Sequence, residues 1–163
     1  MNRRIRVSVV ALQDDKILLV KHTIKGNTFW VLPGGNWVTG EPLAQTAVRE
    51  MKEETNLDLE IVKLLHVADN FFKSKVDAKE LHEIDICFLG RITGGELKVG
   101  SEPEVAEKIL FEVRFFAASE LDNIVFHPPA LLKELKEVLG NGFAHWGEYL
   151  GAYHEGVLEE YHS

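Results

Sequence analysis

The stretch GGNWVTGEPLAQTAVREMKEETNL, residues 34–57, constrains the fold more than any other part of the chain. Pro42 suits the first turn of a helix, and small or aliphatic residues follow it at the spacing of a buried helical stripe. These residues are Leu43, Ala44, Ala47, Val48 and Met51. The pattern predicts an amphipathic helix that packs one face on a sheet and ends at Asn56 as a left-handed C-cap.

The predicted helix also gathers like charges. Because positions three and four apart are neighbours on a helix, Glu50, Glu53 and Glu54 are expected to share one patch beside the apolar stripe. The plain alternative is a solubilising face exposed to water. Adjacent carboxylates repel one another, however, and Lys52 is expected to project away from them. A hard divalent cation, Mg²⁺ or Mn²⁺, would neutralise the patch, because such ions prefer oxygen ligands and leave room for phosphates.

The residues ahead of the helix indicate how this patch is completed. Gly34 and Gly35 let the backbone approach closely, so that a main-chain carbonyl can become a further ligand. Arg49 is expected to reach back to Glu41 through a bidentate pair, a geometry that lysine would not reproduce. The loop before the helix is therefore predicted to be fixed against it.

Composition narrows the classes of function. A chain of 163 residues suits one domain. Its 18 Lys+Arg against 26 Asp+Glu give a net charge of -8, which disfavours a nucleic-acid polymer as partner. A small phosphorylated ligand stays compatible, since a bound cation reverses the local field of an acidic cleft. No signal peptide or apolar run of roughly 20 residues is recognisable, so no membrane partner and a cytoplasmic location are expected.

The other segments indicate strands on both sides of the internal helix. RIRVSVVAL and KILLVKH flank a turn, and three later runs are rich in β-forming residues. The runs are LEIVKLLHVADNFF, HEIDICFLGRI and ILFEVRFF. The segment PPALLKELKEVLG predicts a second helix with Gly140 just past its end. This order predicts an α+β fold, and Cys87, inside an apolar run, is expected to pack in its core.

The C-terminal segment differs from the rest. Residues 1–140 are expected to form the domain, and residues 141–163 an aromatic tail that packs on the domain or on a partner subunit. The aromatic residues of the tail are Phe143, Trp146, Tyr149 and Tyr153. A homodimer that uses this tail and a tail folded over its own domain are both compatible with the sequence.

At this point the residues carry a resemblance to a known family. Residues 35–57 resemble the Nudix box, which fixes two glycines, four glutamates and one arginine at set spacing. The fixed positions here are Gly35, Glu41, Arg49, Glu50, Glu53 and Glu54, with Met51 and Leu57 at aliphatic positions. Asn56 stands where the family has glycine, and since asparagine tolerates positive φ the change concerns the helix cap. WVLPGG and EVRFFAASEL extend the resemblance beyond the box.

The resemblance implies a MutT-like Nudix hydrolase with an α/β/α sandwich and a mixed β-sheet. It implies Mg²⁺-dependent or Mn²⁺-dependent attack of water on a nucleoside diphosphate linked to another group. The implied metal ligands are Glu50, Glu54 and the carbonyl of Gly34. Glu53 is implied as a further ligand or as the base, and Arg49 and Glu41 as residues that organise the site.

Some members of the family take the general base from outside the box. Glu112 aligns best with that outlying position, and Glu104 and Glu107 are the alternatives. For each of these three residues an ordinary surface charge explains the sequence equally well.

The substrate is less constrained. A nucleoside triphosphate or related nucleotide is the leading expectation; an ADP-ribose or nucleotide-sugar pyrophosphatase and a non-catalytic nucleotide-sensing module are the alternatives. Members that cleave ADP-ribose often carry a proline some fifteen residues past the box, and this chain has none between Pro42 and Pro103. Gly35, Trp37 and Phe72 are expected to contact the substrate, although an aromatic residue on a strand is more often part of the core. His66 and His82 are expected to be structural or exposed.

Overall fold

The computed structural model describes residues 2–73, 79–100, 108–142, 148–154 and 157–159. Two α-helices and a mixed set of strands account for most of them. The elements are β1 (Asn2–Gln13), β2 (Lys16–Ile24), β3 (Asn27–Val31), β4 (Gly34–Asn36), α1 (Leu43–Thr55), β5 (Leu57–Lys73), β6 (Glu80–Gly95), β7 (Lys108–Phe116), a 3₁₀-helix (Ala118–Asn123), α2 (Pro129–Asn141), β8 (Glu148–His154) and β9 (Val157–Glu159).

Strand β1 organises the sheet. It runs parallel to β6 and antiparallel to β2 and β4. The strand order is β3-β2-β1-β6-β5-β8-β9, with β4 paired to β1 and β7 paired to β2. Parallel and antiparallel pairs thus share one sheet, and the predicted α+β fold with a mixed sheet is confirmed.

The two helices cover opposite faces of this sheet. Because side chains alternate along a strand, Val7 and Val9 of β1 face α1, while Val10 faces α2. The α1 side holds Ala47 and Met51 in one apolar cluster, and the α2 side holds a second cluster around Trp30. The layers therefore form an α/β/α sandwich. Cys87 is buried in the α2-side cluster, as the sequence predicts.

Helix α1 is rotated from the predicted phase. Ala47 and Met51 are fully buried as expected, but the prediction for Val48 was wrong, since 37% of this residue is exposed. The buried arc instead includes Glu50 and Glu54. The helix ends as predicted, because Asn56 has φ 60° and ψ 11°, the left-handed cap conformation.

The C-terminal part of the chain departs from the simple helix-and-tail picture. Helix α2 continues through Asn141, and Gly142, with φ 74°, takes the capping position expected of Gly140. Beyond it, β8 pairs parallel to β5, and β9 pairs antiparallel to β8. Phe143 and Trp146 lie outside the described residues, and contact of the tail with a partner subunit stays a prediction. None of the described helices is long and apolar enough to span a membrane.

Candidate active site

Arg49 lies at the centre of the acidic side of α1. Its Nη1 atom donates to Glu50 Oε1 at 2.7 Å and to Glu53 Oε2 at 3.1 Å. Two carboxylates one turn apart therefore meet at a single guanidinium nitrogen. Glu50 is buried, whereas the Glu53 side chain is 36% exposed, so the pair reaches from the helix packing surface to solvent.

The other edge of the same guanidinium holds the loop before α1. Arg49 Nε donates to Glu41 Oε1 and Arg49 Nη2 to Glu41 Oε2, each at 3.1 Å, which is the bidentate pair that the sequence predicts. Thr46 Oγ1 also donates to Glu41 Oε2 at 2.8 Å. These bonds from Arg49 and Thr46 hold the pKa of Glu41 below its usual value, and the same pair raises the pKa of Arg49. The indole N–H of Trp37 donates to the Glu41 backbone carbonyl at 2.6 Å and braces the loop further.

Glu54 is fully buried on the sheet side of α1. Its Oε2 atom accepts the Gly34 backbone N–H at 2.8 Å, and its Oε1 atom lies 3.3 Å from His22 Nε2. Sequence analysis did not single out His22. The available signal was a polar residue at an inward position of a strand, directly after the apolar run ILLV and Lys21.

The two glycines before α1 lie where a side chain would not fit. Gly34 pairs with Ser8 of β1, has φ +149°, and would place a Cβ atom 2.2 Å from the Val7 carbonyl oxygen. A Cβ atom on Gly35 would lie 2.3 Å from the carboxyl carbon of Glu50. Gly34 therefore lets β4 approach β1 closely, and Gly35 lets the backbone lie against the Glu50 carboxylate.

Two of the expected site residues lie elsewhere. Glu112 of β7 pairs with Lys21 at 3.0 Å, and Lys21 lies against Trp30 of the α2-side cluster, so Glu112 faces away from α1. Phe72 is half-buried, and the central carbon of the Arg4 guanidinium lies 5.6 Å from the centre of the Phe72 ring. These contacts place neither Glu112 nor Phe72 beside the carboxylates of α1. Glu104 and Glu107 lie outside the described residues.

Trp37 braces the loop before α1, and its contact with substrate stays a prediction. Its ring packs against the α1-side cluster, and its N–H is engaged by Glu41. Gly35 is the expected substrate-contact residue that lies beside the acidic side chains. His66 is buried next to Asp85, and the half-buried His82 lies next to Asp69; a structural or exposed role for each stays a prediction.

The donors on α1 fit a hard divalent cation by their chemistry. Three carboxylates and the backbone of Gly34 lie within about one helical turn of one another, and carboxylate and carbonyl oxygens are the ligands such ions prefer. Within the described part of the chain, no three acidic, histidine or cysteine side chains are arranged as a closed metal cluster. Arg49 instead engages Glu50 and Glu53, so ion binding at these residues requires the carboxylates to share or exchange that partner.

Comparison with known proteins identifies the arrangement. The model of the NUDIX domain matches residues 2–139. The chain belongs to the Nudix family. An ADP-ribose pyrophosphatase from Methanocaldococcus jannaschii is 34% identical over 133 residues, which cover 80% of this chain and 71% of that relative. This Nudix member is therefore a hydrolase, in a family that cleaves pyrophosphate bonds of small nucleotide derivatives, as the box predicts.

Further relatives and solved structures agree with this family. The 8-oxo-dGDP phosphatase NUDT18 of Homo sapiens is 31% identical over 101 residues, which cover 60% of this chain and 28% of that protein. A MutT Nudix hydrolase from Burkholderia pseudomallei superposes with a TM-score of 0.65 at 25% identity, covering 84% of this chain and 98% of its own. A Nudix hydrolase from Nitrosomonas europaea superposes with a TM-score of 0.68 over 87% and 91% of the two chains; at 20% identity it supports the fold alone.

Proposed function

We propose that this Nudix hydrolase cleaves the pyrophosphate of a nucleoside diphosphate linked to another group, with Mg²⁺ or Mn²⁺ as cofactor. Nucleoside triphosphates and related nucleotides are the leading substrate class. The observation that carries the proposal is the meeting of Glu50 and Glu53 at Arg49, next to Gly35 and the buried Glu54. Phosphoryl transfer requires charge to be neutralised on the non-bridging oxygens and water to be held in line.

Each residue of the site has a distinct part in this proposal. Glu50, Glu54 and the Gly34 carbonyl would hold the cation, with Glu53 as a further ligand or as the base. A bound divalent cation would supply Lewis-acid stabilisation and lower the pKa of a bound water. Glu53 is the most exposed carboxylate of the three and is therefore open to water that must lose a proton. Arg49 and Glu41 fix the loop and keep Gly35 over Glu50.

ADP-ribose is the second candidate substrate. The 34%-identical relative named ADP-ribose pyrophosphatase favours it, because the match covers most of both chains. The absence of a proline between Pro42 and Pro103 weighs in the other direction. A non-catalytic sensing module is disfavoured, since every charged position of the box is intact.

A substrate panel with product analysis separates these functions. Nucleoside triphosphates, oxidised nucleotides, ADP-ribose, nucleotide sugars and dinucleoside polyphosphates are incubated with Mg²⁺, with Mn²⁺ and with chelator. Release of nucleoside monophosphate and pyrophosphate from a triphosphate, abolished by chelator, is the expected result. Release of AMP and ribose 5-phosphate from ADP-ribose alone would establish the second candidate. Binding of nucleotides without turnover of any would contradict both.

A further inference from the structure

The His22 side chain comes from outside the box and lies against its buried carboxylate, Glu54. Its Nε2 atom lies 3.3 Å from Glu54 Oε1, and the two side chains are 3% and 0% exposed. On the other side of the carboxylate, Gly34 N–H donates to Oε2 at 2.8 Å. Each oxygen of Glu54 therefore faces a nitrogen supplied by the sheet, one from β2 and one from β4.

The strands explain why His22 points toward α1. Side chains alternate along β2: Leu18 packs in the α1-side cluster and Leu19 in the α2-side cluster, so His22, four residues after Leu18, faces α1. Lys21 then lies on the α2 side against Trp30, and His22 lies on the α1 side against Glu54. The ring of Phe29 meets the imidazole edge-on, with centroids 6.4 Å apart, and limits its rotation.

The buried Glu54 carboxylate requires nearby groups that compensate its charge. An ionised side chain removed from water is costly unless nearby groups compensate its charge. The 3.3 Å separation from His22 is an ion-pair distance without the alignment of a hydrogen bond, whereas the Gly34 bond is well formed. His22 and the Gly34 N–H therefore hold the Glu54 carboxylate from two sides.

We propose that His22 is a positioning residue, which fixes the orientation of the Glu54 carboxylate for a divalent cation. This inference rests on the proposed function, because it assigns His22 a task only if Glu54 is a ligand. Groups that orient a metal ligand reduce the ordering that binding requires, and losing one typically weakens metal affinity about 10–100-fold. The contribution of His22 is therefore expected in metal affinity and in kcat, with the KM for nucleotide little changed.

The test compares Mn²⁺ affinity, measured by electron paramagnetic resonance, in the wild-type protein and in two variants. His22→Leu removes the ring nitrogen and is expected to weaken Mn²⁺ binding about 10–100-fold. His22→Gln places an amide N–H near the position of Nε2 and is expected to restore affinity to within a few-fold of wild type. Equal Mn²⁺ affinity in wild type and His22→Leu, or failure of His22→Gln to restore binding to a folded protein, would overturn the proposal.

A matched control separates positioning from simple core support. His66 is also buried on a strand, but its Nε2 atom lies 3.1 Å from Asp85 Oδ2 and not against a carboxylate of α1. His66→Leu is expected to lower the melting temperature while leaving Mn²⁺ affinity unchanged; loss of affinity equal to that of His22→Leu would overturn the proposal. If His22→Leu does not fold, His22→Asn takes its place, because its shorter amide does not reach Oε1, and wild-type affinity in that variant would overturn the proposal.

The outcome also distinguishes this inference from the proposed function. Metal-dependent turnover in the wild type, with Mn²⁺ affinity unaffected by the His22 variants, rejects the positioning role and leaves the proposed function standing. A wild-type protein that binds no Mn²⁺ and hydrolyses no nucleotide rejects both.

Discussion

Two regions of the molecule gather carboxylates around arginine. The first is the proposed active site on α1, here called the active-site group, which consists of Glu50, Glu53 and Glu54 with Arg49. The second, here called the strand network, joins β1, β5 and β6. Its members are Arg4, Arg6, Ser8, His66, Asn70, Glu83 and Asp85.

The difference between the two regions lies in which groups reach solvent. In the active-site group a carboxylate, Glu53, is 36% exposed, and Arg49 is 30% exposed. In the strand network the Glu83 and Asp85 carboxylates are at most 8% exposed, and the group that reaches solvent is the cation Arg4, which is 40% exposed. In the strand network Asp85 accepts from Ser8 at 3.0 Å and lies 3.1 Å from His66. Burial acts to lower the pKa of Arg6, but the carboxylates of Glu83 and Asp85, followed by those of Glu54 and Glu50 on α1, outweigh it and raise that pKa, so Arg6 is electrostatically linked to both regions.

We infer that similar residue types serve different purposes in the two regions. Losing a carboxylate that is buried among cations costs stability, because the remaining buried charge is left without compensation. A group in which a carboxylate reaches solvent has capacity left for a ligand, and losing one of its members costs binding or catalysis.

The largest expected effect is on turnover. Glu50→Gln removes one buried negative charge of the active-site group while keeping its shape, and is expected to lower kcat/KM by about 100-fold or more. The measurement is steady-state hydrolysis of the best substrate, with melting temperature as the check on folding. Glu60→Gln is the control, because Glu60 is exposed and pairs only at the surface with Arg91. Turnover of Glu50→Gln within a few-fold of wild type would contradict the distinction between the two regions.

A smaller effect is expected from the strand network, and on stability instead. Asp85→Asn leaves Arg6 and His66 without their buried anion, so the free energy of unfolding is expected to fall by about 3 kcal/mol. Urea unfolding measures this free energy. Asp58→Asn is the control, because Asp58 is 53% exposed and its pair with Lys52 is expected to contribute at most about 1 kcal/mol. Unchanged stability together with lost turnover would assign Asp85 to the active site.

The smallest expected effect concerns pH. The Arg49 and Thr46 bonds lower the pKa of Glu41 below 4.5 in the folded protein. A depressed pKa stabilises the fold above the unfolded-state value, and this contribution is lost as pH falls through the folded-state value. Glu41→Gln should therefore flatten the loss of stability between about pH 5 and pH 3. Unfolding midpoints across that range measure it, with exposed Glu137→Gln as control; identical slopes for Glu41→Gln and wild type would contradict the prediction.

The sequence predicted the parts of the site that depend on local spacing. The positions of Glu41 and Arg49 predicted their bidentate pair, and Asn56 predicted the helix cap, because both follow from distances along one short segment. The prediction for Val48 was wrong since a periodicity argument treats glutamate as an exposed residue. Burial of Glu54 depends on Gly34 and His22, which come from strands that no local pattern brings to the helix.

The strand network was not predictable for the same reason. Its contacts join β1 to residues about 80 positions later in the chain, as between Arg4 and Glu83. Each strand alone shows only an ordinary alternation of polar and apolar residues. Parallel pairing of β1 with β6, which sets Arg6 opposite Asp85, is a property of the whole fold.

The most direct test of the account is metal-dependent turnover by Glu54→Gln. The substitution keeps an oxygen acceptor for the Gly34 N–H and removes the charge that the proposed cation requires. The account predicts that hydrolysis of the best nucleotide substrate falls by about 100-fold or more, while the melting temperature without metal stays near that of wild type. Full Mg²⁺-dependent turnover in a folded Glu54→Gln protein would contradict it.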